Sequence, residues 1–242
     1  MNLVFRNLRK FAMKNSKVRQ YIFYAIGETL LVVFGILIAL QVNNWNERRK
    51  ATLVEEGLLA NLLQDLKSDS ISFHRNSKTL SDIKSLHQAC YDVGVNGADY
   101  SVINKPTYIR RLLYYNPIAR ANDPFITSKI NNEKIRQEIL AYFRCMNDME
   151  DVYGELEDVV INRIRPFLAD QEAQDITVWF ENKDINSYHL IPVESLAELS
   201  KRPDFQQLLF EASVKLSENI TALDLLVQQN NKLKSNIEDF LK

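Results

Sequence analysis

His87 and Cys90 lie one helical turn apart, a spacing that lets two side chains reach one metal ion. A closed zinc site takes four ligands, and nothing nearby completes this pair, so no metal site is expected. His74 and His189 have no acid or nucleophile at a recognisable spacing. Glu55 with Glu56, and Glu150 with Asp151, are adjacent pairs; neighbours on a helix point in different directions, so both pairs read as solvated faces. The sequence has no Gly-rich phosphate loop, nucleophile elbow, His-Glu-x-x-His or Cys-x-x-Cys. The expectation is a non-enzymatic chain with no cofactor. An envelope enzyme survives as a third reading only because catalytic groups can converge from distant helices without a local motif. For Cys90 and Cys145 two readings stay open, one disulfide in an oxidising compartment or two buried thiols.

The remaining group with chemical potential is Glu28, the single acid in the apolar stretch Tyr21 to Val42. As a helix those residues would be about 33 Å long against a hydrocarbon core of about 30 Å, so they are expected to cross a bilayer. The run is too long for a cleaved signal peptide and lacks a suitable cleavage site, which makes it an uncleaved signal anchor. Tyr21, Ala25, Glu28, Val32, Gly35, Ala39 and Val42 follow a four-three spacing and share one face. Gly35 and Ala39 form a small-xxx-small pair that admits a second helix closely. Glu28, Gly35 and Ala39 are therefore the candidate transmembrane interface. Glu28 also has a bland reading, an acid near a helix start that reaches toward the headgroups. Trp45, within Asn43 to Glu47, suits the membrane–water interface and is the candidate interfacial anchor.

Charge orients the stretch. Residues 1–20 carry Arg6, Arg9, Lys10, Lys14, Lys17 and Arg19 and no acid, which keeps a basic tail on the cytoplasmic side and in contact with anionic lipid. The chain has thirty basic and thirty-one acidic residues, of which nine and two fall in residues 1–50, leaving residues 51–242 a formal charge of −8. Such a surface does not favour nucleic acid.

The elements beyond residue 50 follow the helical period. Leu58, Leu59, Leu62, Leu63, Leu66, Leu80, Ile83 and Leu86 predict a helix from about Asn44 to Cys90, with a break near Ser70. Gly94 and Gly97 mark a turn, Pro106 to Tyr115 a short helix, and the stretch to Ser128 reads as irregular. Ile135, Ile139, Tyr142, Met146, Met149, Tyr153, Leu156 and Val160 form a seam for another helix, of this chain or a neighbour, ended or kinked by Pro166. Residues 170–200 read as a connector with a short extended piece around Ile176, Val178, Trp179 and Phe180. A last helix runs from Pro203 to about Phe240, its apolar face interrupted by Asn230 and Asn231. The expected fold is all-α, an N-terminal transmembrane helix followed by an up-and-down bundle of long helices. Its expected parts are a basic tail over 1–20, a span over 21–42 and an extracytoplasmic helical domain over 43–242.

The run Tyr24-Ala25-Ile26-Gly27-Glu28, followed by Gly35-Ile36-Leu37-Ile38-Ala39-Leu40-Gln41-Val42-Asn43-Asn44-Trp45-Asn46-Glu47, resembles the signature of a family of uncharacterised single-span membrane proteins of Bacteroidota. Leu62, Leu66 and Asp69 are similar to that family's first helix, and Ile130, Lys134, Ile135, Arg136, Ile139, Tyr142 and Phe143 to a later segment. The family's Ser-Ser-Gly-like turn after Pro117 is absent here. The resemblance implies membrane location and transfers no activity. Location in a bacterial inner membrane, single-pass, with the N-terminus inside and the C-terminal domain periplasmic, is the resulting expectation. The expected function is a membrane-anchored scaffold or sensor module that assembles through helix–helix contacts, as a homo-oligomer or with another membrane protein. The alternative is an accessory subunit of an ion-coupled or transport complex that uses Glu28.

Overall fold

The computed structural model describes residues 16–181 and 190–242. Contacts divide the chain into two units, residues 1–56 and residues 57–242, and a first helix, α1, covers Ser16–Gly94. In the first unit the apolar stretch is helical and fully exposed, with Leu31 at 74% and Phe34 at 60%. Among the described residues one helix is long and apolar enough to cross a membrane, and it contains this stretch. The expected basic tail lies largely outside the described residues, with Arg6, Arg9, Lys10 and Lys14.

The second unit starts within α1. After α1, single 3-10 turns at Tyr100–Val102 and Pro106–Arg110 lead into two short helices, α2 (Ala119–Asn122) and α3 (Ile126–Lys129). The long α4 (Glu133–Val159) passes through a π turn, Val160–Ile164, into α5 (Arg165–Asp170). Then come α6 (Ile176–Glu181), α7 (Val193–Ser200) and α8 (Pro203–Phe240). No strand occurs among the described residues, and the fold is all-α.

Three seams carry the packing. On α1, Leu59, Leu62, Leu66, Phe73, Leu80 and Ile83 are buried; on α4, Ile135, Ile139, Tyr142, Met146, Met149 and Leu156; on α8, Phe205, Leu209, Ala212, Leu216, Leu223 and Leu233. The steps of four and three keep each set on one face, and each fully buried aliphatic side chain contributes about 1.5–3 kcal/mol. The expected seam from Ile135 to Val160 is therefore filled within the chain, chiefly by α8. Cross-links fix directions. Asn219 of α8 donates to the Val152 carbonyl and Asn236 to Glu138, while Asn230 donates to the Leu66 carbonyl and Ser213 meets His87. Thus α8 runs against both α1 and α4, and residues 95–132 carry the chain back so that α1 and α4 point the same way.

Several local expectations are corrected. No break occurs near Ser70, because the hydroxyls of Ser68, Thr79 and Ser85 bond carbonyls four residues back and leave the helix ladder intact. Pro166 does not end the helix. The π turn shifts the hydrogen-bond register ahead of it, Arg165 N–H reaching the Val160 carbonyl, so Pro166 sits in the first turn of α5. The Pro106 helix stops at Arg110, and residues 118–129 hold two helical turns where irregular chain was expected. The extended piece around Val178 is instead helix α6, because the Asp175 carboxylate accepts from the N–H groups of Thr177 and Val178 and caps it. Glu55 is buried rather than solvated.

Gly97 adopts φ +71° at the turn after α1. Gly94 meets a different constraint: a Cβ there would lie 1.9 Å from the Ser200 carbonyl oxygen at the end of α7. Gly154, in mid-α4, has open space around it. Gly94→Ala should destabilise the folded domain by about 1–3 kcal/mol through overpacking against backbone. Gly154→Ala should stabilise it by about 0.5–1 kcal/mol. Chemical denaturation of the full chain in detergent, followed by circular dichroism, separates the two outcomes.

Candidate functional site

Glu28, Gly35, Ala39 and Trp45 all stand outward on α1. A side chain added at Gly35 would meet nothing within 4 Å, and the Thr29 hydroxyl is turned back to the Ala25 carbonyl at 2.8 Å. The Arg49 guanidinium lies over the Trp45 ring, 5.9 Å from its centre, a cation–π contact available at an exposed position. Nothing within residues 16–56 covers the small-residue face.

The second unit has a polar centre that the sequence does not announce. The Asp69 carboxylate, 2% exposed, accepts from the N–H groups of Ile118 at 2.8 Å and Ala119 at 3.2 Å, and from the Tyr142 hydroxyl at 3.1 Å. Burial pushes its pKa up, while these three donors pull it down. The Tyr142 oxygen in turn accepts from the Asn230 amide, which also reaches the Leu66 carbonyl. Burial and the neighbouring Asp69 raise the Tyr142 pKa, so the hydroxyl stays protonated and donates. Asp69 thus joins α1, the start of α2 and α4, and Asn230 adds α8. This arrangement is structural in character, since every partner of the Asp69 carboxylate is a group of the chain itself.

A groove of about 680 Å³ lies between α1 and α8, lined by residues 84–95 of the first and 206–220 of the second. Its floor is His87, 6% exposed, with Nδ1 2.9 Å from the Ser213 hydroxyl oxygen. The Ser213 hydroxyl bonds the Leu209 carbonyl at 2.7 Å. One serine proton cannot serve both partners, so His87 Nδ1–H donates to Ser213. Burial lowers the His87 pKa to about 4. His74 is exposed, and His189 lies outside the described residues. Cys90 is buried, its thiol pushed up to about 11 by desolvation, and Cys145 is half-buried; both are free thiols. Among the described residues no group of three or more His, Cys, Asp or Glu is placed to hold a metal ion.

Residues 28–104 match the model of a family described as of unknown function, DUF6090. That segment contains Glu28, Gly35, Ala39, Trp45, Asp69 and His87, and excludes their α4 and α8 partners. No curated protein and no solved structure matches the chain.

Sequence reasoning singled out Glu28, Gly35, Ala39 and Trp45 on α1 and did not foresee the Asp69–Tyr142 and His87–Ser213 contacts of the second unit. A signal existed for each: Asp69, Asn76 and His87 continue the four-three register of Leu59, Leu62, Leu66, Phe73, Leu80 and Ile83. Asp69→Ala, which strands two N–H groups and the Tyr142 hydroxyl, should cost about 3 kcal/mol or more. Added to Tyr142→Phe it should cost less than the sum, which a double-mutant cycle in denaturant would read.

The His87 prediction concerns pH. A folded-state pKa of about 4 against an ordinary 6.5 gives stability that is complete above pH 6.5 and is lost as pH falls toward 4. Between pH 7 and pH 5 this group alone should remove about 2 kcal/mol. In His87→Gln the fall over that interval should shrink by the same amount; equal slopes for the two proteins would refute the assignment.

Proposed function

We propose that the chain is a non-enzymatic, membrane-anchored helical module, a scaffold or sensor that assembles through its apolar helix. The observation that carries this reading is an accounting of faces: the seams of α1, α4 and α8 are filled within residues 57–242, whereas the Glu28, Gly35 and Ala39 face meets nothing. Assembly is then assigned to the span rather than to the α4 seam. A bilayer supplies the apolar surroundings that Leu31 and Phe34 lack, and a second helix supplies the close approach that Gly35 and Ala39 permit. An acid on the same face favours a protein-lined or hydrated neighbour over lipid.

Residues 21–42 form the span in this reading, with the N-terminus in the cytoplasm and residues 43–242 in the periplasm of a bacterial inner membrane. The basic residues before the span support that orientation. Trp45 and Arg49 then sit at the outer interface. Lipid and a second copy, or another membrane protein, are the partners.

A second reading rests on Glu28 alone, an accessory subunit of an ion-coupled or transport complex in which Glu28 titrates against a partner's helices. An in-membrane association reporter and a function assay in cells distinguish them. Gly35→Leu should reduce the association signal several-fold while Glu28→Gln leaves function intact, if the scaffold reading holds. Unchanged association in Gly35→Leu would remove it. Loss of function in Glu28→Gln at normal membrane level would move the chain to the second reading.

A further inference from the structure

We propose that the groove between α1 and α8 binds an anionic amphiphile carrying a hydroxyl beside its head group, the chemistry of a 3-hydroxy fatty acid. This names a ligand for the sensor half of the proposed function and is tested apart from assembly.

Size permits it, since small-molecule sites run from about 300 to 1,000 Å³ and the groove holds about 680 Å³. Its walls include Tyr91, Val95 and Phe210, which remain 48%, 51% and 66% exposed and have no apolar cover. Charge then selects among apolar ligands. Lys84 is the single charged residue of the lining, and no carboxylate lines the groove, in a region whose formal charge is −8. Lys84 forms no ion pair among the described residues; Asp224 lies on an adjoining smaller groove that shares Lys84. A positive end in acid-rich surroundings fits an anion and disfavours a cation.

The floor adds a second requirement. Ser213 directs its proton to Leu209 and accepts from His87 Nδ1–H, so the neutral ring presents Nε2 as an acceptor, with no partner among the described residues. Nε2 stays within reach of water at the groove floor, and a ligand that covers it with a carboxylate, which cannot donate, would leave that acceptor unmade. A hydroxyl can donate to it. Lys84 and His87 are three residues apart on one face of α1, and both line the groove. A plain hydrocarbon would leave both groups unanswered, and a simple fatty acid would answer only Lys84.

The test uses the full chain in lipid nanodiscs and a 3-hydroxy fatty acid bearing a diazirine near its tail. After irradiation, labelled peptides are mapped by mass spectrometry, with labelling of residues 21–42 by lipid-dissolved probe as the internal reference. Residues 84–95 and 206–220 should label above every other part of the second unit. Lys84→Met, a change at an exposed position, should lower that labelling at least fivefold relative to the span. Unlabelled 3-hydroxydodecanoate should compete at a concentration at least threefold below that of dodecanoate. Groove labelling no higher than elsewhere, or unchanged in Lys84→Met, or equal competition by the two acids, would overturn the proposal. Cross-links joining residues 91 and 210 of two copies in place of labelling would overturn it as well, by making the groove an interface. None of these outcomes alters the Gly35→Leu association result.

Discussion

A carboxylate taken out of water must be met by donors, and Asp69 is met from two separate parts of the chain. Its acceptance of the Ile118 and Ala119 N–H groups seats the start of α2 on α1, and the Tyr142 hydroxyl brings in α4. Burying an unpaired carboxylate would cost several kcal/mol, so these contacts form together or leave a heavy penalty. The crossover between α1 and α4 depends on the same kind of provision. Its extended backbone has no ladder partner, and its carbonyls are answered by side chains: Asn76 at Tyr114, Tyr153 at Leu113, Arg165 at Arg110. Helical residues thus complete the hydrogen bonding of a segment that is not helical, as buried backbone requires.

That dependence explains which parts were legible in the sequence. The seams were legible because a three-four repeat of apolar residues records burial directly, and the last helix runs over Pro203–Phe240 as its pattern indicates. The crossover was not, because what holds Leu113 and Tyr114 lies 40 and 38 residues away and leaves no local pattern. Composition misled at Ile176 to Phe180, where β-branched and aromatic residues suggested extended chain and the Asp175 cap decided for helix. Polar residues within the seams misled in the opposite sense. Asn230 reads as an interruption and is 1% exposed, in contact with both other long helices.

The outward face of α1 shows the limit from the other side. Sequence spacing places Glu28, Gly35 and Ala39 together, and the helix keeps them together, yet nothing among the described residues covers them. The groove is intermediate: its polar floor is fixed by the His87–Ser213 contact, which no local motif encodes, while its apolar walls are visible as exposed aromatic residues. In the proposed module the two surfaces have different tasks, one for association in the bilayer and one for a small molecule.

Asn219 and Asn230 sit eleven residues apart on α8, each amide donating to a neighbouring helix while its carbonyl oxygen has no partner among the described residues. Their positions are keyed to the Val152 and Leu66 carbonyls. Sliding α8 by one heptad, about 10 Å, would carry both amides onto aliphatic neighbours and forfeit those bonds, at about 1–3 kcal/mol for each. A piston stroke of α8 within this domain is thereby disfavoured, and so is a separation of α1 from α8, which would break the same Asn230 bond to the Leu66 carbonyl.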